Sequence, residues 1–459
     1  MSFPWLLGEH EEAGGPKIRA RGRSNDSSAI QGVLGQPPPC LSTVTASLLP
    51  VTASSVRFCF VGCGSIASHH LKALPPSALV TAVVDPSEEA RERVAREIAL
   101  RGGGGGGGGG SVPAPTCFAS LGAALEADPR AELFNAVDIM VPNVHDLHAE
   151  LCVMALDAAR HVLLEKPIAA KLSAAKRIQA RYNAAAAAHG AVLMVAENAQ
   201  FWPEVVETLR VINAGRVGEV LSVHAKCWES AAGAWADDYK AGTWRTERSA
   251  LPGGSYVFDS VSHWIRPLRM WLGEVVAVSA TLGRSLPHMA GPSIAAALLR
   301  CRRKRGGATV TATLEVMLSP ACVRAASSPF FRVTGARGEI VIDASFDGGA
   351  TLWTVASSDG LDAETQVADG GGMGPAMHRQ VLCREGWDAS YAGEMRAFCD
   401  AVSTGASLAQ SVRDAIQDLR VIEAIHEAAE RGCWVELEHE HEHENENVKV
   451  EQRAVTGDR

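Results

Sequence analysis

The 459-residue sequence predicts an α/β protein in two parts. The first part is a doubly wound parallel sheet, and the second is an α+β domain on an open, largely antiparallel sheet. Three observations carry this reading. Over residues 56–195, short apolar runs recur between helical segments, the signature of strands buried on both faces. Over residues 196–436, many runs alternate apolar and polar, the period of strands with one face in water. A glycine-rich turn joins the first apolar run to the first helix.

The first run, Val56–Val61, reads as a buried strand. It stops at Gly62-Cys63-Gly64-Ser65-Ile66-Ala67, a G-x-G-x-x-A turn that opens a helix. A second apolar run, residues 79–84, ends on Asp85. Each part stands where a dinucleotide needs it, as in a Rossmann βαβ unit. Gly62 permits the tight turn. Gly64 has no Cβ, so a pyrophosphate can approach the backbone. Ser65, Ile66 and Ala67 start the helix, whose N-terminal N–H groups and dipole favour phosphate. Asp85 can accept hydrogen bonds from the adenosine ribose hydroxyls and would repel a 2′-phosphate. NAD is therefore the expected cofactor, with NADP second. A glycine turn in an ordinary α/β domain would share the motif, but not the register of strand, turn, helix, strand and acid.

The rhythm resumes at residues 136–141, a strand ending at Pro142-Asn143. A helix over 148–159 begins at His148. The next strand, 161–164, ends at Glu165-Lys166-Pro167. An Ala-rich helix (173–189) and a strand (191–196) complete the domain. The carboxyl ends of parallel strands share one edge, where ligands bind. Gly62, Gly64, Ser65, Ile66, Ala67, Asp85, Pro142, Asn143, His148, Glu165 and Lys166 are thus expected around the cofactor.

In the second domain, segments 221–225, 275–281, 308–316 and 331–333 read as half-buried strands. Gly335-Ala336-Arg337-Gly338 is a turn between two of them, and a helix-rich segment over 391–431 closes the fold. The uncovered sheet face is expected to pair with another subunit, giving a homodimer or homotetramer.

Composition narrows the partners. A net charge of −9 and the lack of a basic, aromatic-studded strip argue against nucleic acid. No apolar run is long enough to span a membrane. The 11 cysteines form no C-x-x-C pair, so reduced thiols in a reducing compartment are expected, and no metal site. The cytoplasm is the expected location. Residues 1–55 read either as a disordered extension or as a plastid or mitochondrial transit peptide. The basic, Ser-containing stretch 17–28 favours the second, and Glu9, Glu11 and Glu12 oppose it. The glycine run 102–110 is expected as a flexible insertion, because no strand feeds it as a phosphate loop requires. Residues 437–459 are expected as a solvated tail. Their Glu/His alternation offers weak metal binding as the other reading.

Two constellations suggest chemistry. The strand before Lys166 aims it at the nucleotide crevice, where an ammonium can stabilise an alkoxide formed as hydride leaves a carbinol carbon. Further on, Gly253-Gly254 makes a loop, Ser255 caps a helix, and Asp259 and His263 stand four residues apart on one face. A carboxylate beside an imidazole fixes its tautomer and makes a proton acceptor near neutral pH. A surface ion pair, or a core histidine held by its neighbour, fits the same spacing. Asn198 and Gln200 follow a strand at the domain junction and can hydrogen-bond a substrate. Trp244-Arg245 suits a sugar face or a carboxylate, although packing alone also accounts for Trp244.

Glu165-Lys166-Pro167 at a strand end, GCGSIA, LHAE (147–150), ARHVLLEKP (159–167), VAENAQFWPE and GGSYVFDSVSH together resemble the Gfo/Idh/MocA oxidoreductases over about residues 56–436. The resemblance implies a Rossmann domain joined to an α/β domain built on an open sheet, often oligomeric through that sheet. It also implies catalytic roles for Lys166, Asp259 and His263, with His263 as general acid/base. Where the family pattern often reads D-x-G-x-H-x-x-D, this chain has Val261 at the glycine and Arg266 at the last Asp. Arg266 therefore stands either for an acidic substrate or for a structural salt bridge.

The expected function is an NAD(P)-dependent oxidoreductase, moving hydride between nicotinamide and a sugar, cyclitol or related hydroxy/keto compound. The other readings are NAD-dependent glycosidase-type chemistry at the same site, and a nucleotide-sensing regulator without turnover. The intact Lys/Asp/His set favours the enzyme.

Overall fold

A computed structural model describes residues 56–102, 114–232, 237–247, 255–303, 307–320, 330–343, 349–355, 366–368, 377–408 and 411–437. The expected N-terminal extension, the glycine insertion after Gly102, the Gly253-Gly254 loop and the tail from residue 438 lie outside the described residues.

Six parallel strands form the first sheet: β1 (Val56–Val61), β2 (Ala78–Val84), β3 (Thr116–Phe118), β4 (Ala136–Ile139), β5 (His161–Glu165) and β6 (Leu193–Ala196). Their order is β3-β2-β1-β4-β5-β6. The winding reverses between β1 and β4, which opens the crevice at their carboxyl ends. Phe58, Cys59, Phe60 and Val61 are 0 % exposed, as the unbroken apolar run requires. The connecting helices are α1 (Ser65–Ala73), α2 (Glu88–Gly102), α3 (Leu121–Ala127), α4 (Leu147–Asp157) and α5 (Leu172–His189). Strand β3 escaped the sequence reading because three half-exposed residues show no period.

After a 3₁₀ turn (Asn198–Phe201) and α6 (Pro203–Asn213), a ten-stranded sheet begins. Its strands are β7 (Val220–Ser230), β8 (Glu274–Gly283), β9 (Ile294–Arg302), β10 (Thr309–Ser319), β11 (Phe331–Gly335), β12 (Gly338–Ile342), β13 (Ala350–Val355), β14 (Gln366–Ala368), β15 (Met377–Cys383) and β16 (Val435–Glu436). They run in the order β14-β15-β13-β12-β11-β7-β10-β9-β8-β16. Every pair is antiparallel except β7 with β10. Leu437, one residue past the expected domain boundary, still bonds to this sheet, its N–H donating to Val276 O at 2.8 Å.

Helices α7 (Tyr256–Ser260), α8 (Ser262–Leu272) and α10 (Val412–Arg431) cover one face of the sheet. Trp264 and Trp271 of α8 pack against Phe331 of β11, tilted at 5.2 Å and edge-on at 4.9 Å. Helix α9 (Asp388–Thr404) instead returns to the first sheet, where Phe398 packs 5.6 Å from Phe58 and is 0 % exposed. Burying one such ring contributes about 1.5–3 kcal/mol. This return crossing is what locks the second domain over the crevice of the first.

Candidate active site

The glycine turn is shaped by contact. Gly62 has φ of +97°, and a Cβ there would lie 2.6 Å from Met140 O, so only glycine lets β1 pass β4 this closely. Gly64 is the opposite case: a Cβ there would meet nothing within 4 Å. It lines the cleft with Ser65 and Ile66. Ala67 is 0 % exposed and seats α1 against the sheet. This bare, open loop at a helix N-terminus fits a pyrophosphate.

Asp85 lies just beyond β2. Its Oδ2 accepts from Cys63 N at 2.8 Å and its Oδ1 from Ser87 N at 2.9 Å. The carboxylate thus braces the glycine turn itself. The nearby guanidiniums of Arg91 and Arg93 donate to the carbonyls of Asp85 and Cys63.

A cleft of about 240 Å³ runs from this loop into the second domain. Met140, Val141, Pro142, Asn143, Glu165 and Lys166 form its Rossmann wall. Asn198, Glu229, Asp238, Tyr239, Trp244, Arg245, Asp259, Ser260, His263, Trp387 and Tyr391 form the opposite wall. Asn143 Nδ2 donates to Pro167 O at 3.1 Å. His148 is 1 % exposed and does not line the cleft; its ring nitrogens lie 3.0 Å from Pro167 O and Val141 O. It therefore sits between two loop carbonyls, where a cofactor contact had been expected.

Lys166 stands at the meeting of the walls. Its Nζ donates to Asp259 O at 3.1 Å and to Asp259 Oδ1 at 3.2 Å. Arg245 Nε donates to Asp259 Oδ2 at 2.9 Å, and its guanidinium lies 4.2 Å over the Trp244 ring. Burial by itself would raise the Asp259 carboxyl, but Lys166 and Arg245 outweigh it and hold it far below the usual carboxylate range. Burial would lower the Lys166 ammonium. Asp259 and Glu165 outweigh that too, so the lysine stays charged.

Asp259 and His263 do not pair. Val261, itself in helical conformation, joins α7 to α8, and Asp259 turns toward Lys166 and Arg245. The partner of His263 is Glu197: Nδ1 and Oε1 are 2.5 Å apart. Glu197 is 2 % exposed and also accepts from Ala199 N at 3.2 Å, which caps the 3₁₀ turn. Burial pushes its carboxyl upward, but His263 and then Lys166 outweigh that and leave it below the ordinary value. With Nδ1 bonded to Glu197, the Nε2 of His263 is the nitrogen left for the cleft. The ring stands edge-on to Trp387 at 5.3 Å. Glu197 lies inside the VAENAQFWPE segment, yet no local spacing connects it to a histidine 66 residues away.

Gln200 and Arg266 fall outside the cleft lining. Arg266 is 6 % exposed, donates to Gln200 Oε1 at 3.2 Å and pairs with Asp414 at 3.2 Å. Of its two readings, the structural salt bridge is the one observed. Asn198 does reach the cleft, with Nδ2 donating to Ser390 Oγ at 2.8 Å. Glu229, Asp238, Tyr239, Trp387 and Tyr391 are cleft residues that sequence reasoning missed. They come from three separate segments without a shared motif. Burial raises the Glu229 carboxyl above its ordinary range.

Among the described residues, no group of three His, Cys, Asp or Glu side chains could hold a metal ion. No helix there is long and apolar enough to cross a membrane.

Known proteins share this fold. The chain is 27 % identical over 328 residues to levoglucosan dehydrogenase of Pseudarthrobacter phenanthrenivorans, covering 66 % of this chain and 80 % of that one. The solved structure of a levoglucosan dehydrogenase in complex with NADH superposes with a TM-score of 0.65 at 20 % identity, over 83 % of this chain and 99 % of that one. Myo-inositol 2-dehydrogenase from Lactobacillus plantarum gives a TM-score of 0.62 at 16 % identity, over 83 % and 99 % of the two chains. Residues 56–197 match the oxidoreductase family model with an NAD-binding Rossmann fold, and residues 210–437 match the model of that family's C-terminal alpha/beta domain. Sequence motifs, sheet topology and both family models agree, and the chain belongs to the Gfo/Idh/MocA family of oxidoreductases.

Proposed function

We propose that the protein is an NAD-dependent dehydrogenase or reductase of a neutral sugar, cyclitol or related hydroxy compound. One observation carries this: Lys166 and His263 meet in the same cleft as Gly64, each bonded to its own buried carboxylate. NAD, when bound, supplies the carbon that accepts or returns hydride. Gly64, Ser65 and Ile66 would hold its phosphates, Asp85 its adenosine ribose, and the wall from Pro142 to Lys166 the nicotinamide end.

The chain's own residues move the proton and steady the oxygen. His263 Nε2 takes the hydroxyl proton while Glu197 keeps the other ring nitrogen occupied. Lys166, kept charged and aimed by Asp259, stabilises the negative charge growing on the substrate oxygen. Arg245 holds Asp259 from the other side. Among the described residues that line the cleft, the two Lys/Arg side chains, Lys166 and Arg245, both bond to Asp259, which offsets part of their charge and favours a neutral polyol over a carboxylate. Glu229, whose carboxyl burial pushes upward, lines the same cleft and can hydrogen-bond a second substrate hydroxyl. The relatives named for levoglucosan and myo-inositol support this class.

The test is a screen of sugars, anhydrosugars, inositols and dihydrodiols with NAD and NADP, followed by nicotinamide absorbance. Turnover of a neutral polyol with NAD is expected. Lys166→Ala and His263→Ala should each lower kcat by roughly 10²-fold. No turnover across the screen, or full turnover by His263→Ala, overturns the reading.

Homo-oligomerisation through the outer face of the second sheet is part of the same proposal. Leu298, 43 % exposed, stands there in register with Thr313 and His224. Sedimentation of the purified chain tests it. The cysteines of the described residues are all free, which supports a reducing compartment such as the cytoplasm.

A further inference from the structure

We propose that His70, which does not line the cleft, is the positioning residue that sets Lys166. This rests on the proposed role of Lys166 and adds what holds that lysine's backbone in place. His70 lies on α1, one helical turn beyond the glycine loop, and is 0 % exposed. Its Nδ1 is 2.8 Å from Asp138 Oδ2 on β4, and its Nε2 is 3.1 Å from Glu165 Oε1 on β5. Glu394 of α9 approaches Nε2 at 3.8 Å. Rings of Tyr391 and His69 border the group, Tyr391 at 6.1 Å from His70 and stacked on His69 at 5.3 Å.

A neutral imidazole carries one N–H, and this ring has a carboxylate on each side. The imidazolium serves both, Nδ1 by a hydrogen bond to Asp138 and Nε2 by an ion-pair contact with Glu165 that lies outside hydrogen-bond geometry. Burial disfavours that charge, but Asp138 and Glu165 outweigh burial and keep the ring protonated well above the ordinary histidine range. Glu165 is the link to the cleft. Its Oε1 faces His70, while its Oε2 accepts from the backbone N–H of Lys166 at 3.1 Å. The carboxylate that fixes the Lys166 backbone is itself fixed by His70. Without the imidazolium, a nearly buried Glu165 loses its direct ion-pair partner and is freer to swing out or take up a proton. Either change releases the Lys166 N–H and slackens the reach of Nζ to Asp259.

The test measures competitive acetylation of Lys166 by mass spectrometry, against exposed lysines of the same molecule. It compares wild type, His70→Gln, Glu165→Gln and the double variant, all well below their melting temperatures. His70→Gln is expected to speed labelling of Lys166 several-fold and to lower kcat by roughly 10-fold or more with little change in KM. The double variant replaces an ion pair with two amides and is expected to recover most of both losses, because contacting residues couple. If His70→Gln does not fold, Glu165→Gln carries the same comparison. Unchanged Lys166 labelling in a folded single variant, or losses that simply multiply in the double, overturns the proposal. Labelling needs neither cofactor nor substrate. A labelling shift without NAD-dependent turnover in wild type would sink the dehydrogenase reading and leave the positioning role standing.

Discussion

Glu197→Gln separates the geometry found here from the one that spacing suggests. The variant keeps the size of the side chain and an oxygen for the His263 Nδ1–H, and removes only the charge. Glu197 is 2 % exposed and its Oε1 is 2.5 Å from Nδ1, so the bond sits largely out of water. A hydrogen bond to a charged group contributes about 1.5–3 kcal/mol. That bond strengthens when His263 takes the substrate proton, so most of the loss should fall on the transition state. At about 1.4 kcal/mol per factor of ten, kcat should drop roughly 10- to 100-fold. KM and NADH affinity should stay within about threefold of wild type, since loss of an interaction made only in the transition state appears in kcat. Stability should follow the depressed pKa of Glu197. The ionised form stabilises the fold above the unfolded carboxyl pKa, and that contribution fades as pH falls through the folded value. The melting deficit of the variant should therefore be largest near neutrality and close in acid. Steady-state kinetics, NADH fluorescence titration and melting curves from pH 4 to 8 check all three. A kcat within twofold of wild type, or a loss carried by KM, would refute the dyad.

Gly62→Ala should unfold or severely destabilise the first domain, by about 2 kcal/mol or more, because its Cβ would strike Met140 O at a positive φ. Gly64→Ala should melt like wild type and lose NADH affinity in titration, because its Cβ would project into the open cradle. Glu394 is fully buried, and burial raises its carboxyl well above the ordinary value despite His70 nearby. The stability it contributes as a neutral acid is complete below the unfolded carboxyl pKa and is lost as pH rises. Glu394→Gln should therefore gain in melting temperature over wild type as pH increases from 5 to 8, and a flat difference would count against a neutral Glu394. Asp85→Ser should narrow or reverse the preference for NAD over NADP in calorimetric titration, with some loss of stability because Cys63 N and Ser87 N lose their acceptor.

The nucleotide half was legible in the chain because its determinants are local. Strand, turn, helix, strand and acid succeed one another within residues 56–85, and Gly62 is required by a contact that the motif already encodes. The parallel strands read as apolar runs because helices bury both of their faces. The second sheet was legible only in part. Its alternating strands showed a period, as in β10, whereas β9 and β13 to β15 were overlooked. Lys166 was locatable because a strand end fixes where the next side chain points. The Asp259–His263 contact was misread because i,i+4 spacing only makes a pairing possible, and Lys166 and Arg245 take Asp259 while Glu197 takes His263.

What the sequence by itself determined is the dinucleotide fold and the identity of the groups at its carboxyl edge, because neighbours along the chain impose them. What only the tertiary structure decided is who partners whom. Glu197 reaches His263 across 66 residues, Lys166 reaches Asp259 across 93, and His70 of the first helix meets Glu394 of α9. Those pairings depend on α7, α8 and α9 being packed against the first domain. A buried charge then takes whichever opposite charge the packing leaves within reach, and no local pattern along the chain records that choice.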